Sequence, residues 1–184
     1  MDDITNILGA IEQGDSAASD RLFTVVYEEL RRLAEGKMSR EKPGQTLDAT
    51  ALVHEVYLRL VDVVKARRWQ NRGHFFSAAA EAMRHILVER ARHKHAQKRG
   101  AGRTRVPFDE SRIAAEDELE VLSVNEALAG LAAVDAHAAE LVKLRYFAGL
   151  SIPDAAQVLN IGARSADRLW TFARAWLRRA IETP

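Results

Sequence analysis

The chain has 184 residues, 47% apolar and 29% charged, with no cysteine and a formal net charge of +1. The length allows one large domain or two small ones, and the composition is that of a folded soluble protein. The lack of cysteine excludes disulfide scaffolds, zinc fingers and thiol nucleophiles, and no apolar run reaches the ~18 residues that mark a membrane span. The start, Met1-Asp2-Asp3-Ile4, is acidic and has no signal-peptide core, so a cytoplasmic protein is expected.

Proline and glycine number only 4 and 10. Apolar stripes recur at helical spacing without strand-like alternation, which predicts an all-α fold. Ile4, Ile7, Leu8 and Ile11 form a first stripe, ended by Gly14. Ser16 can cap a second helix striped by Leu22, Val26, Leu30 and Leu33 and running towards Met38. Lys42 to Gln45 reads as a loop. Asp48 or Thr50 can start a third helix with Leu52, Val53, Val56, Tyr57 and Leu60 inward. Residues 65–73 break the pattern. A fourth helix follows from about His74, with Phe75, Phe76, Ala79, Met83, Ile86 and Leu87 as its buried face. Four such helices within residues 1–100 can enclose a core of their own.

Residues 101–120 hold no sustained stripe and read as a flexible acidic linker. Residues 121–184 form a second helical unit. Ser123 and Glu126 fit a capping box, Asp135 can cap the next helix, and Gly149 can stop it. Ser151-Ile152-Pro153-Asp154 is another capping box, with Pro153 tolerated in the first turn. Asn160-Ile161-Gly162 is a tight turn in which Gly162 takes the N-cap position. The last helix turns Ala166, Leu169, Trp170, Ala173, Trp176 and Leu177 to one side.

The charge is segregated. Residues 84–105 hold 8 basic and 1 acidic residue, residues 106–126 hold 1 and 7, and residues 164–184 hold 5 and 2. Two anion-binding surfaces joined by an acidic connector fit this pattern, as do solvated helix faces. A short capped helix, a tight turn and a longer basic helix make a helix-turn-helix pattern. With its apolar side inward, the last helix points Arg164, Ser165, Asp167, Arg168 and Thr171 outward. Arginine suits guanine, serine and threonine suit bases or phosphate, and aspartate suits cytosine. Arg84, Arg92, His95 and Arg99 lie along one stripe of the fourth helix and can track a phosphate backbone. The loop before it sets Arg67, Arg68 and Arg72 around Trp69, Gln70 and Asn71, a combination suited to splayed single-stranded bases. A core anchor is the favoured role for Trp69 itself.

His93 and His95 point about 200° apart on a helix and cannot share a metal ion. No phosphate loop, nucleophile elbow or catalytic carboxylate pair is present, so neither an enzyme nor a cofactor is expected.

The run Thr46-Leu47-Asp48-Ala49-Thr50-Ala51-Leu52-Val53-His54-Glu55-Val56-Tyr57-Leu58-Arg59-Leu60 resembles the polymerase-docking helix of extracytoplasmic-function (ECF) sigma factors. His74-Phe75-Phe76 through Arg99-Gly100 resembles their promoter-melting segment. Leu144 to Ser151 and Phe172 to Leu177 resemble their C-terminal helix-turn-helix domain. The three segments occur in family order across almost the whole chain.

This resemblance implies an RNA polymerase specificity subunit. Leu52, His54, Glu55, Leu58 and Arg59 match the helix that grips the β′ coiled coil of core polymerase. Trp69, Gln70, Asn71 and Arg72, with Arg84 and Arg92, match the part that opens and captures the −10 element. Arg164, Ser165, Asp167, Arg168 and Thr171 match the −35 reader. The acidic linker is similar to the segment threaded towards the RNA exit path. Core polymerase and promoter DNA are the implied partners, an anti-sigma factor is a further one, and no membrane insertion is implied. An inhibited form would pack the two domains together over the docking helix. Three residues depart from the family pattern: Ala51 where an acidic residue is frequent, Asp167 where a basic one is common, and Gly162 where Ser or Thr is usual. The competing reading is a stand-alone helix-turn-helix regulator that binds operator DNA without polymerase. The near-zero net charge weighs against it, because phosphate contacts supply much of such affinity.

Overall fold

A computed structural model describes residues 4–13, 15–38, 49–66, 71–97 and 118–182. Gly14, the Lys42–Gln45 loop, Asp48, the Arg67–Gln70 stretch, Arg99 and linker residues 101–117 lie outside the described residues. The described elements are helical: α1 (Ile4–Glu12), α2 (Ser16–Met38), α3 (Ala49–Ala66), α4 (Arg72–Gln97), α5 (Glu118–Val134), α6 (Ala136–Val142), α7 (Ile152–Val158) and α8 (Ala163–Glu182). A π-helical turn, Lys143–Phe147, continues α6 directly.

Local chemistry sets several of the ends. Asp135 accepts from the Ala138 amide at 2.9 Å and caps α6. The Ser151 hydroxyl accepts from the Asp154 amide at 3.2 Å and donates back to the Asp154 carboxylate, with Pro153 in the first turn of α7. Gly149 takes φ 75°, a left-handed turn that a side chain would strain, and the Leu150 amide closes over it onto the Leu144 carbonyl at 3.0 Å. Two starts differ from expectation. Asp15, not Ser16, caps α2, accepting from the Ala17 amide at 3.0 Å while pairing with Arg21 at 2.7 Å. A carboxylate at the positive end of a helix holds that place better than a hydroxyl. Helix α5 begins at Glu118, so Ser123 is an interior residue and caps nothing, and Glu118–Glu120 are helical.

Helix α4 is the axis of the molecule. On one side it meets α3, which packs on α2, which in turn carries α1; on the other it meets α5, the π turn and α7. Its buried residues therefore exceed one stripe. Ala80, Val88 and Ala91 are buried along with the expected Phe75, Phe76, Ala79, Met83, Ile86 and Leu87. A single-faced surface helix buries three or four residues per two turns, whereas the run Ile86-Leu87-Val88 spans about 200°. The buried residues form one continuous cluster through α4.

The α5–α8 half is held by close contacts. Gly130 of α5 faces the Trp176 ring of α8, and a Cβ at Gly130 would lie 2.9 Å from that ring. Arg145, from the π turn, donates to the Leu150 carbonyl at 2.7 Å and lies 5.1 Å from the Trp170 ring centroid. It thereby ties the end of α6 to both the α7 entry and α8.

Candidate nucleic-acid and partner interfaces

Helix α8 is sided as its sequence predicts. Ala166, Trp170, Ala173, Leu177 and Ile181 are buried, while Leu169 and Trp176 are half-buried. Arg164, Ser165, Asp167, Arg168 and Thr171 are all exposed on its N-terminal half. The turn before it is built by Asn160, whose φ of 52° is left-handed, and the Gly162 carbonyl accepts from Ser165 at 2.9 Å and Ala166 at 3.0 Å. Thr171 donates its hydroxyl to the Asp167 carbonyl at 2.9 Å, which fixes its rotamer and leaves the oxygen able to accept.

Helix α3 presents a different surface. Leu58 is 65% exposed, the most exposed large apolar side chain among the described residues. His54, Glu55 and Arg59 lie one turn or less from it, so the four share a mixed face. Two ion pairs cross from this face to α4: Arg59 to Glu89 at 2.5 Å, and Glu55 to Arg90. The Arg59 hydrogen bond holds the Glu89 carboxyl below the usual glutamate range. His54 Nε2 is 3.4 Å from the Tyr27 hydroxyl of α2. Leu52 does not join this face. It is fully buried, and exposing it would forfeit about 2 kcal/mol of burial. Its contribution is to seat α3, which corrects its expected place among the contact residues.

The residues expected around the −10 element are dispersed. Trp69 and Gln70 lie outside the described residues. The Asn71 side-chain oxygen caps α4 by accepting from the His74 amide at 2.9 Å. Arg72 sits 4.9 Å from the Phe76 ring centroid and 3.9 Å from Glu29. Arg92 is exposed. Arg84 is not on an open stripe with it: its side chain is only 19% exposed, paired with Glu81 at 2.5 Å and bonded to Asn125 of α5. Glu89, Arg90 and Asn125 escaped the sequence reading. Their partners are 30 to 41 positions away, and no local pattern announces such pairs.

The family model for ECF sigma factors matches residues 1–183. The chain belongs to the ECF sigma factor family. It is a DNA-binding sigma factor of transcription initiation, with RNA polymerase and promoter DNA as the partners of its family. ECF sigma factors are transcription factors and not enzymes. No curated protein matches the chain at a significant level. Among the described residues of this sigma factor, no helix is long and apolar enough to cross a membrane.

Proposed function

We propose that this sigma factor binds core RNA polymerase through α3 and directs initiation by reading a duplex −35 element with α8 and opening and capturing the −10 element near the start of α4. In this reading residues 1–100 bind polymerase and the −10 element, residues 101–117 link, and residues 118–184, which take in all of α5, form the helix-turn-helix domain. An anti-sigma factor is a fitting regulator of such a chain.

The observation that carries the reading is the outward row on α8. Arg164, Ser165, Arg168 and Thr171 are exposed on the N-terminal half of a helix that follows a capped helix and a tight turn. That is the half a recognition helix inserts into the major groove. Asp167 in the same row would repel phosphate and favours a base contact at a cytosine amino group. On α3, an exposed Leu58 beside His54, Glu55 and Arg59 suits a protein partner with apolar and charged contacts. At the start of α4, Asn71 and Arg72 suit splayed bases, with Trp69 and Gln70 just before them in the sequence, and Arg92 towards the other end of α4 suits the backbone. Extruding a base costs a few kcal/mol, which pocket contacts and the polymerase must offset.

The test is reconstitution with bacterial core polymerase followed by selection of bound promoter fragments. Fragments sharing two spaced motifs, recovered only with both components, support the reading; recovery by the chain alone sinks it. The double substitution Glu55→Ala and Leu58→Ala is expected to abolish co-elution with core while leaving the circular dichroism spectrum unchanged. Retained co-elution would refute the docking role of α3.

A further inference from the structure

The outward face of α8 changes character along its length. Arg164 and Arg168 open it, Arg178 and Arg179 close it, and all four are exposed. Between them lies an apolar stretch. Phe172 stands four positions beyond Arg168, within about 40° of it around the helix, and Ala175 follows three positions later. Phe172 is 41% exposed, one of three large apolar side chains so placed among the described residues, and Ala175 is exposed with it. Its neighbours one turn away on either side behave differently. Leu169 and Trp176 lean on the core, Trp176 across Gly130 of α5. These two supply the core-side edge of α8, and Phe172 stands beyond them in the row that holds Arg168. A lone exposed phenyl is common on folded proteins and means little by itself. Its place in this row is what counts.

We propose that Phe172 is a sequence-reading residue of this sigma factor: its ring packs against the 5-methyl group of a thymine in the −35 duplex, close to the base met by Arg168. The proposal deepens the −35 reading of α8 given above and rests on it. A helix in the major groove has phosphates at the groove walls and base edges on the floor. The cations at the two ends of the α8 face can reach the walls. The middle of the face meets the floor, and a phenyl there has neither a donor for phosphate nor a hydrogen bond for a base. The floor offers it one apolar group, the thymine methyl; every other base edge there presents donors or acceptors. Set against one of those, the ring would strip water from a polar group and give nothing back. The preference is therefore selective by attraction and by penalty. Ala175, small and exposed beside the ring, leaves room for the approach. Four residues advance about 6 Å along a helix axis, and successive base pairs about 3.4 Å along a duplex. The thymine accordingly lies within about two base pairs of the base met by Arg168.

The test alters the DNA by one methyl group. Deoxyuridine keeps every hydrogen-bonding group of thymidine and lacks only the 5-methyl. The −35 element selected by the chain with core polymerase is resynthesised with each thymine of either strand exchanged for uracil in turn. The affinity of the holoenzyme for each duplex is then measured by competition. At one thymine, within two base pairs of the position whose identity Arg168→Ala relaxes, the exchange is expected to weaken binding about fourfold, the worth of one buried methyl group. At the others it is expected to change little. Phe172→Ala is expected to bind the thymine and uracil duplexes equally, and Phe172→Leu to keep part of the difference. The duplex series uses the unaltered chain, so it does not depend on either variant folding; a cooperative urea transition qualifies the variants. A selected element with no thymine in that window overturns the proposal, as does an exchange without effect at every position. So does a fourfold loss that persists undiminished in folded Phe172→Ala, which would assign the methyl to another side chain. A Phe172→Ala chain that loses affinity for core polymerase while keeping the thymine preference would mark a protein contact, and overturns it too. The −35 reading is judged separately. If Arg168→Ala also leaves discrimination unchanged, α8 is not the reader. If Arg168→Ala relaxes discrimination while uracil is silent, the reader stands and only the thymine contact falls.

Discussion

Arg168 stands one turn beyond Arg164 on the exposed row of α8, and the proposed −35 reading gives it a base edge. Arg168→Ala is expected to cost about 1–3 kcal/mol of discrimination, read as the affinity ratio of the holoenzyme for a selected and a scrambled −35 motif. An equal loss on both, with a shallower salt dependence, would mark a phosphate contact instead. Gly162 offers a prediction of the opposite sign. Its φ is not left-handed, and a Cβ there would meet nothing within 4 Å. The strained residue of this turn is Asn160. Gly162→Ser is therefore expected to add a side-chain cap and to stabilise the protein by a few tenths of a kcal/mol, measured by urea unfolding. These residue-level features were largely legible in the sequence. A cap, a turn and an amphipathic face are decided within four or five positions, and the outward row on α8 follows from subtracting Trp170, Ala173 and Leu177. Leu52 shows where such reading fails: a family contact pattern names a position, but only packing says whether that side chain is available.

At the scale of the helix, the ends expected from Asp135, Ser151 and Gly149 are present because each depends on local bonds. Ser16 was displaced because Asp15 stands one position earlier with a stronger acceptor. Ser123 was overruled because α5 extends a full turn and more before it. The width of the buried surface on α4 was the larger omission. Ala79-Ala80 and Ile86-Leu87-Val88 do not fit one stripe, and that excess is the sequence trace of a helix covered from two sides. The partner on the second side is more than 30 positions away and has no local signature. Helix α4 also takes its start from Asn71, for which a DNA role is proposed above. Asn71→Ala is expected to lower stability by about 1 kcal/mol in the absence of any DNA, because the His74 amide loses its acceptor. A variant with unaltered urea midpoint would show that the cap contributes nothing.

For the whole molecule, the two halves are coupled through Glu81. Burial raises its carboxyl pKa, but the Arg84 hydrogen bond and the Lys143 charge outweigh burial and bring it down to about 2. A folded-state value below the unfolded one means that the carboxylate stabilises the fold fully above the ordinary glutamate pKa, near 4.3, and that this contribution disappears as pH falls towards 2. Urea unfolding between pH 6 and pH 2.5 is expected to show the decline, and Glu81→Gln is expected to flatten it over the same window. Parallel pH profiles for the two proteins would refute the assignment. Neighbouring pairs such as Arg178–Glu182 are exposed and add little of this kind.

The π turn at Lys143–Phe147 sits between these halves. A π turn is an α-helix carrying one residue too many, and the Ala148 amide reaching the Lys143 carbonyl at 3.2 Å is its signature bond. The surplus residue lets Leu144, Tyr146 and Phe147 all bury their side chains within five positions, against α4 on one flank and the rest of the α5–α8 half on the other. Deleting any one residue there would restore ordinary winding, and Leu144, Tyr146 and Phe147 could no longer all be buried. Arg145 sits inside the same turn, so its bond to the Leu150 carbonyl and its contact with the Trp170 ring depend on that winding too. The length of this segment is therefore as tightly constrained as its composition, and single-residue indels should be far less tolerated here than in the joins between helices.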